Sequence, residues 1–358
     1  MSIQKFFSSF HKNIRVENND DLRDKRDILV SKIRDSLKKA GHPLPDSINQ
    51  GSYIYGVGVI PLGDVEYDID VGLEFPIQSS AYEAKTVRKW VYDAVVDHTD
   101  QKAEDRGPCI RVRYAKGFHV DLVVYAKHKD SEYIENHQLA RKDNSWRPTE
   151  PKKLKAQIFD ARKAFNDTKD SSGSDQLQRI TRYLKRWNDL EHPEDSPDKP
   201  FGLATLLLVI KYLNSPVIHS SGTSDDLAAL INVARAVTFI PGRIIVTKPT
   251  QEFEDVFEKL SADAMDRLKE RFVELLDALE SARDQESDDA AAQILRTQFG
   301  DDFPASMKRS DESLEFDEAV KSEQTRKALA SDMKAVIQPN DMPPRIHIKD
   351  AAKPWKNM

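Results

Sequence analysis

The stretch from Gln50 to Phe75 constrains the fold of this chain most strongly, because its second half alternates between apolar and polar residues. From Asp68 onward, every second position holds Ile, Val, Leu or Phe, and the positions between them hold Asp, Asp, Gly and Glu. Side chains of a β-strand point to opposite faces with a period of two, so the segment is predicted to be a strand with one buried face. Asp68 and Asp70 should then project together from the other, polar face.

Two carboxylates on one strand face repel each other unless a cation lies between them. Oxygen ligands of this kind suit Mg²⁺, which proteins bind through one or two carboxylates together with substrate phosphates. The later segment GFHVDLVVY supplies a third carboxylate, Asp121, on the polar face of a second predicted strand. We therefore predict that Asp121 lies beside Asp68 and Asp70 in a two-metal site. The alternative is that the acidic residues form only a solvated strand face.

Other polar residues of these strands have simpler interpretations. His119 shares the polar face with Asp121, but Mg²⁺ prefers oxygen ligands, so His119 is expected to hydrogen-bond locally. Arg111 and Arg113 alternate with apolar residues on a strand expected just before Asp121, and they are expected to face solvent. Contact between these arginines and nucleotide phosphates is the functional alternative.

Several motifs, in order, carry a resemblance to known enzymes. Gly-Ser before an Asp-x-Asp strand, with a later Asp strand, resembles the DNA polymerase beta-type nucleotidyltransferase superfamily. The fuller string QGSY…G…IPL…YDIDVGLEF is similar to the bacterial cGAS/DncV-like nucleotidyltransferases, the cyclic-oligonucleotide synthases of anti-phage (CBASS) signalling. RPTEPKKL resembles that family's loop of Trp followed by acid-Pro-Lys, ITRYLKRWND its spine-helix segment, and FGDDFP the motif that closes the catalytic core.

The resemblance implies an α+β fold with two lobes. Residues 1–150 would form a polymerase beta-like catalytic lobe with a mixed twisted sheet, and 151–304 an α-helical lobe, with the active site in the cleft between them. A helix expected over Asp20 to Ala40 would run along the back of both lobes. Residues 305–358 are polar and rich in proline near their end, so they are predicted to form a partly flexible extension.

The resemblance also implies a nucleotide site. Gln50, Gly51 and Ser52 match phosphate-binding positions, where a glycine lets backbone amides approach a triphosphate and a following helix N-terminus offers unpaired N–H groups. Tyr55 matches a position that stacks on a nucleobase, and Lys185 matches a lysine that contacts phosphates across the cleft.

Two positions depart from the family pattern. Val57 stands where relatives often have Thr or Ser, and Phe201 stands where some relatives have a serine that contacts the nucleotide. The three acidic positions are unaffected by either departure.

The rest of the chain is read mainly as helix. The segment from His137 to Lys153 is basic and polar, and we expect either a surface connection or an active-site loop. The arginines of DQLQRITRYLKRWNDL are expected to form a solvated helix face, and FGLATLLLVIKYLN a buried helix. Further helices are predicted from the spacing of apolar residues over 82–96, 225–237, 251–262 and 263–284.

Composition limits the remaining choices. The chain has 358 residues, a net charge of −6 and a single cysteine, Cys109, which excludes an internal disulfide framework. The negative charge argues against a protein that grips nucleic acid non-specifically. The absence of a long apolar stretch or a signal-peptide pattern predicts a cytoplasmic protein without a membrane segment.

The resemblance also implies cofactors and partners. Two Mg²⁺ ions, with Mn²⁺ as a substitute, would bind nucleoside triphosphate substrates. A product-sensing effector is expected, and a regulatory partner could join the C-terminal tail, although Met358 is not the small terminal residue that such joining favours. Two alternatives stay open: a nucleotidyltransferase that modifies a protein, an RNA end or a small molecule, and a catalytically quiet scaffold with the same fold.

Overall fold

A mixed β-sheet organises the first half of the computed structural model, which describes residues 3–16, 20–63, 67–115, 117–129, 135–192 and 196–306. Within these ranges seven strands form one sheet. They are β1 (Asp46–Gln50), β2 (Tyr67–Phe75), β3 (Glu104–Asp105), β4 (Ile110–Tyr114), β5 (Phe118–Lys129), β6 (Glu135–Ala140) and β7 (Trp146–Thr149). The extension and partner site predicted beyond residue 306 lie outside the described residues.

Strand β5 is the centre of the sheet. Along one edge it runs parallel to β2, and along the other it pairs antiparallel with β4 and then with β6. β1 continues the sheet beyond β2, β3 beyond β4, and β7 beyond β6. The sheet is therefore mixed, and its central parallel pair brings together the two strands that carry the predicted acidic residues.

The apolar face of these strands forms a core. Ile69, Val71, Leu73 and Phe75 of β2 pack there with the alternate residues of β5, beneath α2 (Asp20–Lys39) and α4 (Ala84–Val95). The predicted alternation is therefore confirmed, and the opposite sheet face carries the acidic residues.

Helices form the second half of the described chain. Besides α1 (Gln4–Ile14) and the short α3 (Gly51–Tyr55), they are α5 (Pro151–Lys163), α6 (Gln176–Glu191), α7 (Gly202–Tyr212), α8 (Asp226–Thr238), α9 (Ala262–Arg283) and α10 (Asp288–Phe299). α6 packs against α1, α7, α8 and α10. A sheet lobe followed by a helical lobe is the α+β architecture predicted from the sequence.

An aromatic cluster joins the two ends of the described chain. Phe7 and Phe10 of α1 are fully buried, and Phe303 in the FGDDFP motif lies with its ring centroid 5.2 Å from each of theirs. Tyr183 of α6 stacks on Phe10 at 5.1 Å. The first helix and the FGDDFP segment therefore share one interface with α6.

The apolar helix α7 is a core helix, as predicted. It spans 11 residues, and six consecutive side chains from Ala204 to Val209 are buried. In the part of the chain that the structure describes, no helix combines the length and the apolar character needed to cross a membrane.

Two predictions of secondary structure are wrong. Residues 251–262 form turns instead of a helix, and an isolated bridge pairs Thr247 with Asp255. The Asp255 side chain accepts hydrogen bonds from the backbone N–H groups of Val246 and Phe257, a local alternative to helical bonding. The segment from His137 to Lys153 is not a simple loop, because most of it is in β6, β7 and the start of α5.

Candidate active site

The register of β2 and β5 brings the predicted acidic residues together. Asp70 is paired with Asp121 across the parallel strands, and Asp68 is paired with His119. Because Asp68, Asp70 and Asp121 all alternate with core residues, they share the polar face of the sheet. His119 is buried and lies in the wall of the cleft described below.

Gly51 fits closely against Asp70. A side-chain Cβ at position 51 would lie 1.8 Å from Asp70 Oδ2, which no real structure tolerates. Gly51 also has a φ of +75°, in the left-handed region that favours glycine. Both observations require glycine at the start of α3, and they place the phosphate-binding turn predicted from the sequence directly on an acidic residue.

Negative charge is concentrated at Asp70. Burial raises the pKa of the Asp70 carboxyl well above its usual range, and the charges of Asp68 and Asp121 raise it further. Arg111 and Lys185 oppose this shift but do not cancel it. The site is therefore short of positive charge, a condition that a bound cation would relieve.

Arg111 holds the third acid. Its guanidinium donates two hydrogen bonds of 2.8 Å to the two carboxylate oxygens of Asp121, an arrangement that fixes both groups. The expectation that Arg111 faces solvent is therefore wrong, and Arg113 likewise pairs with Glu104 at 2.9 Å. Within the described ranges, no three His, Cys, Asp or Glu side chains group as a ready metal site, in keeping with this engagement of Asp121.

A large cleft opens above this sheet face. Its volume is about 1870 Å³, and its wall combines residues of the sheet lobe with residues of α6, α7 and the turns at 248–259. Pockets for one small molecule usually measure about 300–1,000 Å³, so the cleft has room for more than one nucleotide. The wall includes these predicted site residues: Gln50, Gly51, Ser52, Tyr55, Asp68, Asp70 and Lys185. Asp121, which is 7% exposed, is not part of it.

Tyr55 and Ser52 have protein partners of their own. Burial raises the pKa of Tyr55 to about 12, with a further contribution from the Asp70 charge. The Tyr55 ring lies 6.4 Å from that of Phe159. The Ser52 side chain hydrogen-bonds Tyr67, whose hydroxyl is close to Gly58.

The two residues that depart from the family pattern both line the cleft. Val57 is buried, whereas Phe201 is 46% exposed immediately before α7. A phenyl group therefore stands at the cleft surface where some relatives carry a serine hydroxyl.

Side chains of helix α6 hydrogen-bond to the backbone of the segment that follows α3. Gln178 donates to the carbonyl oxygens of Tyr55 and Gly56, Arg182 to that of Gly58, and Lys185 to that of Val57 at 3.1 Å. Arg186 holds the carbonyl of Ile60 in the same way. These side chains bind the backbone carbonyls that follow α3, so α6 fixes the end of the predicted phosphate-binding turn.

The arginines of α6 are buried, contrary to the expected solvated helix face. Arg179, Arg182 and Arg186 are 2%, 5% and 1% exposed. Arg179 forms a two-pronged ion pair with Asp226 on α8, at 2.8 and 3.0 Å. Sequence periodicity marks a basic stripe but gives no information on acceptors that come from α3, α8 and the N-terminus.

Lys185 is the member of this set that reaches the acidic site. Burial lowers the pKa of Lys185, and the charge of Asp68 partly opposes that shift. Gly202 lies against it, since a Cβ there would be 3.3 Å from Lys185 Cε and Nζ. The structure thus brings Lys185 into the same cleft as Asp68 and Asp70.

Comparisons with known proteins agree with this geometry. Residues 45–125 match the family model of the DncV-like cyclic GMP-AMP synthase nucleotidyltransferase domain. A cyclic GMP-AMP synthase of Escherichia albertii is 25% identical over 201 residues, which are 54% of this chain and 43% of that protein. A c-di-GMP synthase of Roseivirga ehrenbergii is 29% identical over 109 residues, or 29% of this chain and 28% of that protein. The chain thus spans less than half the length of these curated relatives.

Solved structures show the same fold. Vibrio cholerae DncV cyclic AMP-GMP synthase superposes with a TM-score of 0.67 at 17% identity, over 84% of this chain and 96% of that one. Escherichia coli DncV with 3'-deoxy GTP bound gives a TM-score of 0.63 at 17% identity, over 82% and 95%. Residues 45–125 carry the Gly-Ser turn and the acidic strands, and over this segment the chain is similar to the DncV-like nucleotidyltransferase domain.

Proposed function

We propose that this protein is a nucleotidyltransferase that converts nucleoside triphosphates into a cyclic di- or oligonucleotide second messenger. The observation that carries the proposal is the placement of Asp70 against Gly51, with Asp68 in the wall of the same cleft of about 1870 Å³. The match of residues 45–125 to the family model and the activities named for the Escherichia and Roseivirga relatives support it. A role in cytoplasmic anti-phage signalling, with a product-sensing effector, is part of the same proposal.

The acidic residues suit magnesium. Asp68, Asp70 and Asp121 offer only oxygen donors, and the pKa of Asp70 is raised by burial and by the charges of Asp68 and Asp121, which cations would offset. An ion at Asp121 would share its carboxylate oxygens with the Arg111 guanidinium. When bound, two Mg²⁺ ions, or Mn²⁺ in their place, would activate an attacking sugar hydroxyl and stabilise the leaving pyrophosphate.

The protein residues then have separate tasks. Gln50, Gly51, Ser52 and Lys185 would hold the triphosphate. A sugar hydroxyl of one nucleotide attacks the α-phosphorus of another, the bond from that phosphorus to the β-phosphate oxygen breaks, and pyrophosphate leaves. Asp121 would receive the hydroxyl proton. A second transfer, after the linear intermediate is reoriented, closes the ring.

A product assay tests the proposal. Purified protein is incubated with four labelled nucleoside triphosphates and Mg²⁺ or Mn²⁺, and phosphatase-resistant products are identified by chromatography and mass spectrometry. We expect a cyclic product from the wild type and none from the Asp68→Ala/Asp70→Ala variant. A control variant, Asp93→Ala/Asp160→Ala, removes two exposed carboxylates and should retain the activity.

The same assay separates the alternatives. A linear product, a labelled protein or a labelled RNA end would replace the cyclase proposal with transfer to another acceptor. A catalytically quiet scaffold would give no nucleotide-dependent product in any of the three proteins.

A further inference from the structure

A hydrogen bond crosses the sheet directly beside the proposed phosphate site. The hydroxyl of Tyr125, on β5, donates to Oε1 of Gln50, at the end of β1, over 3.0 Å. β1 and β5 are not neighbours, because β2 lies between them. The Tyr125 side chain therefore reaches over a whole strand to contact Gln50, and such a long reach calls for an explanation.

Gly72 makes this reach possible. It lies in β2 between Ile48 of β1 and Val123 of β5. A Cβ at position 72 would lie 2.6 Å from Ile48 Cγ1, 2.9 Å from Tyr125 Cε2 and 3.0 Å from Gln50 Oε1. Any larger residue would occupy the space through which the tyrosine passes. Glycine is thus required here by close approach of neighbouring side chains.

The hydrogen bond pairs one end of the Gln50 amide with Tyr125 and leaves the other end for the cleft. Tyr125 is buried, packed with Cys109 and Val123, and its hydroxyl hydrogen bond occupies the amide oxygen of Gln50. The Nε2 group of Gln50, half-buried in the cleft wall, is then the end that is left to donate. A donor is the group needed for a phosphate oxygen, whereas the amide oxygen would repel it.

We infer that Tyr125, admitted by Gly72, is a positioning residue that presents the Gln50 amide N–H groups to a triphosphate. This inference rests on the proposed function and adds a residue that would act through Gln50. Loss of the hydroxyl would leave the amide free to rotate and to present its oxygen, so nucleotide binding would weaken while the chemical step is affected less.

The test is a double-mutant cycle on nucleotide affinity. Binding of non-hydrolysable ATP and GTP analogues with Mg²⁺ is measured by calorimetry for the wild type, Tyr125→Phe, Gln50→Ala and the double variant. We expect Tyr125→Phe to raise Kd by about 3- to 10-fold, the range for one hydrogen bond, and KM by a similar factor with a smaller change in kcat. In the Gln50→Ala background the same substitution should change nothing.

Control variants separate positioning from stability. Tyr114→Phe removes a hydroxyl that contacts His98 at 3.1 Å elsewhere on the sheet, and it should leave Kd unchanged. Thermal unfolding of each variant shows whether it is folded. Gly72→Ala keeps both partners but crowds their contact, and it should weaken binding as Tyr125→Phe does.

Each contrary result has a distinct meaning. The positioning role alone is overturned if Tyr125→Phe leaves Kd unchanged. It is also overturned if Tyr125→Phe weakens nucleotide binding equally in the wild-type and Gln50→Ala backgrounds. Absence of nucleotide binding and product in the wild type overturns the proposed function, and the inference with it.

Discussion

Two aspartates of this protein lie in opposite electrostatic surroundings. Asp226 is 0% exposed and accepts hydrogen bonds from Arg179, Tyr183 and Gln176. Burial alone would raise its pKa, but Arg179 and hydrogen bonds with Gln4 and Gln176 lower it. Asp70 lies in the cleft wall, where partial burial and the charges of Asp68 and Asp121 raise its pKa, and Arg111 and Lys185 only partly oppose them. The fold supplies the partners of Asp226, whereas it leaves the charge of Asp70 unbalanced. An acid whose charge the protein leaves unbalanced in a cleft is typical of a functional site.

The largest effect should come from removing the charge of Asp70. Asp70→Asn keeps the shape of the side chain but removes the charge of a proposed metal ligand, whose contribution would be several kcal/mol, so product formation should fall roughly a thousandfold or more. Thermal stability should stay the same or rise, because repulsion with Asp68 and Asp121 disappears. The two measurements are the product assay and calorimetric unfolding. Loss of stability without loss of activity would contradict this assignment of Asp70.

Removing the charge of Asp226 should have the opposite result. Asp226→Asn leaves the guanidinium of Arg179 buried without a counter-charge, which costs about 3–5 kcal/mol of the free energy of unfolding. Urea denaturation measures the loss. In a matched control, Asp93→Asn breaks an exposed pair with Lys89 and should cost under about 1 kcal/mol. An equal loss of unfolding free energy in the two variants would show that the buried pair stabilises the fold no more than the exposed pair does.

A smaller effect is expected from pH at His11. Burial lowers the pKa of His11 below 6.5, with Arg182 and Arg179 adding to the shift and the Asp170 hydrogen bond opposing it. As pH falls below about 6.5, His11 therefore takes up a proton in the unfolded chain before it does so in the folded protein. The folded state loses stability from about pH 6.5 down to the lowered pKa of His11, and the full stability is present above pH 6.5.

The expected decline is shallower in a His11→Gln variant. Between pH 8 and pH 5.5 its free energy of unfolding should fall less than that of the wild type. The difference between the two slopes is at most about 1.4 kcal/mol per pH unit, the value for one proton. His219→Gln, in an exposed loop, should follow the wild type. Identical slopes for wild type and His11→Gln would show that His11 does not report this titration.

The sequence predicts the acidic strands well because their information is local. A period of two in β2 and β5 identifies the buried face, and Asp70 and Asp121 follow from it. The parallel register that pairs them could only be expected from the family resemblance. The roles of the nucleotide-binding residues and of Mg²⁺ stay predictions.

The sequence does not predict the burial of a charged residue whose partner lies on another helix or strand. A basic stripe on α6 has the same pattern whether it faces water or buried acceptors, and Arg179 meets Asp226 across 47 positions. Arg111 alternates like a solvent-facing residue, yet it pairs with Asp121 on the next strand. Local competition explains the missing helix at 251–262, where Asp255 bonds to nearby backbone groups.

The aromatic cluster limits how this protein can be divided. The match to the family model begins at residue 45, but Phe7 and Phe10 lie far upstream and Phe299 and Phe303 far downstream, all four buried together. The first helix and the FGDDFP segment therefore pack together although the whole matched segment lies between them in the chain. Chimaeras between relatives should exchange the first helix and the FGDDFP segment as one unit, because each supplies half of a shared interface.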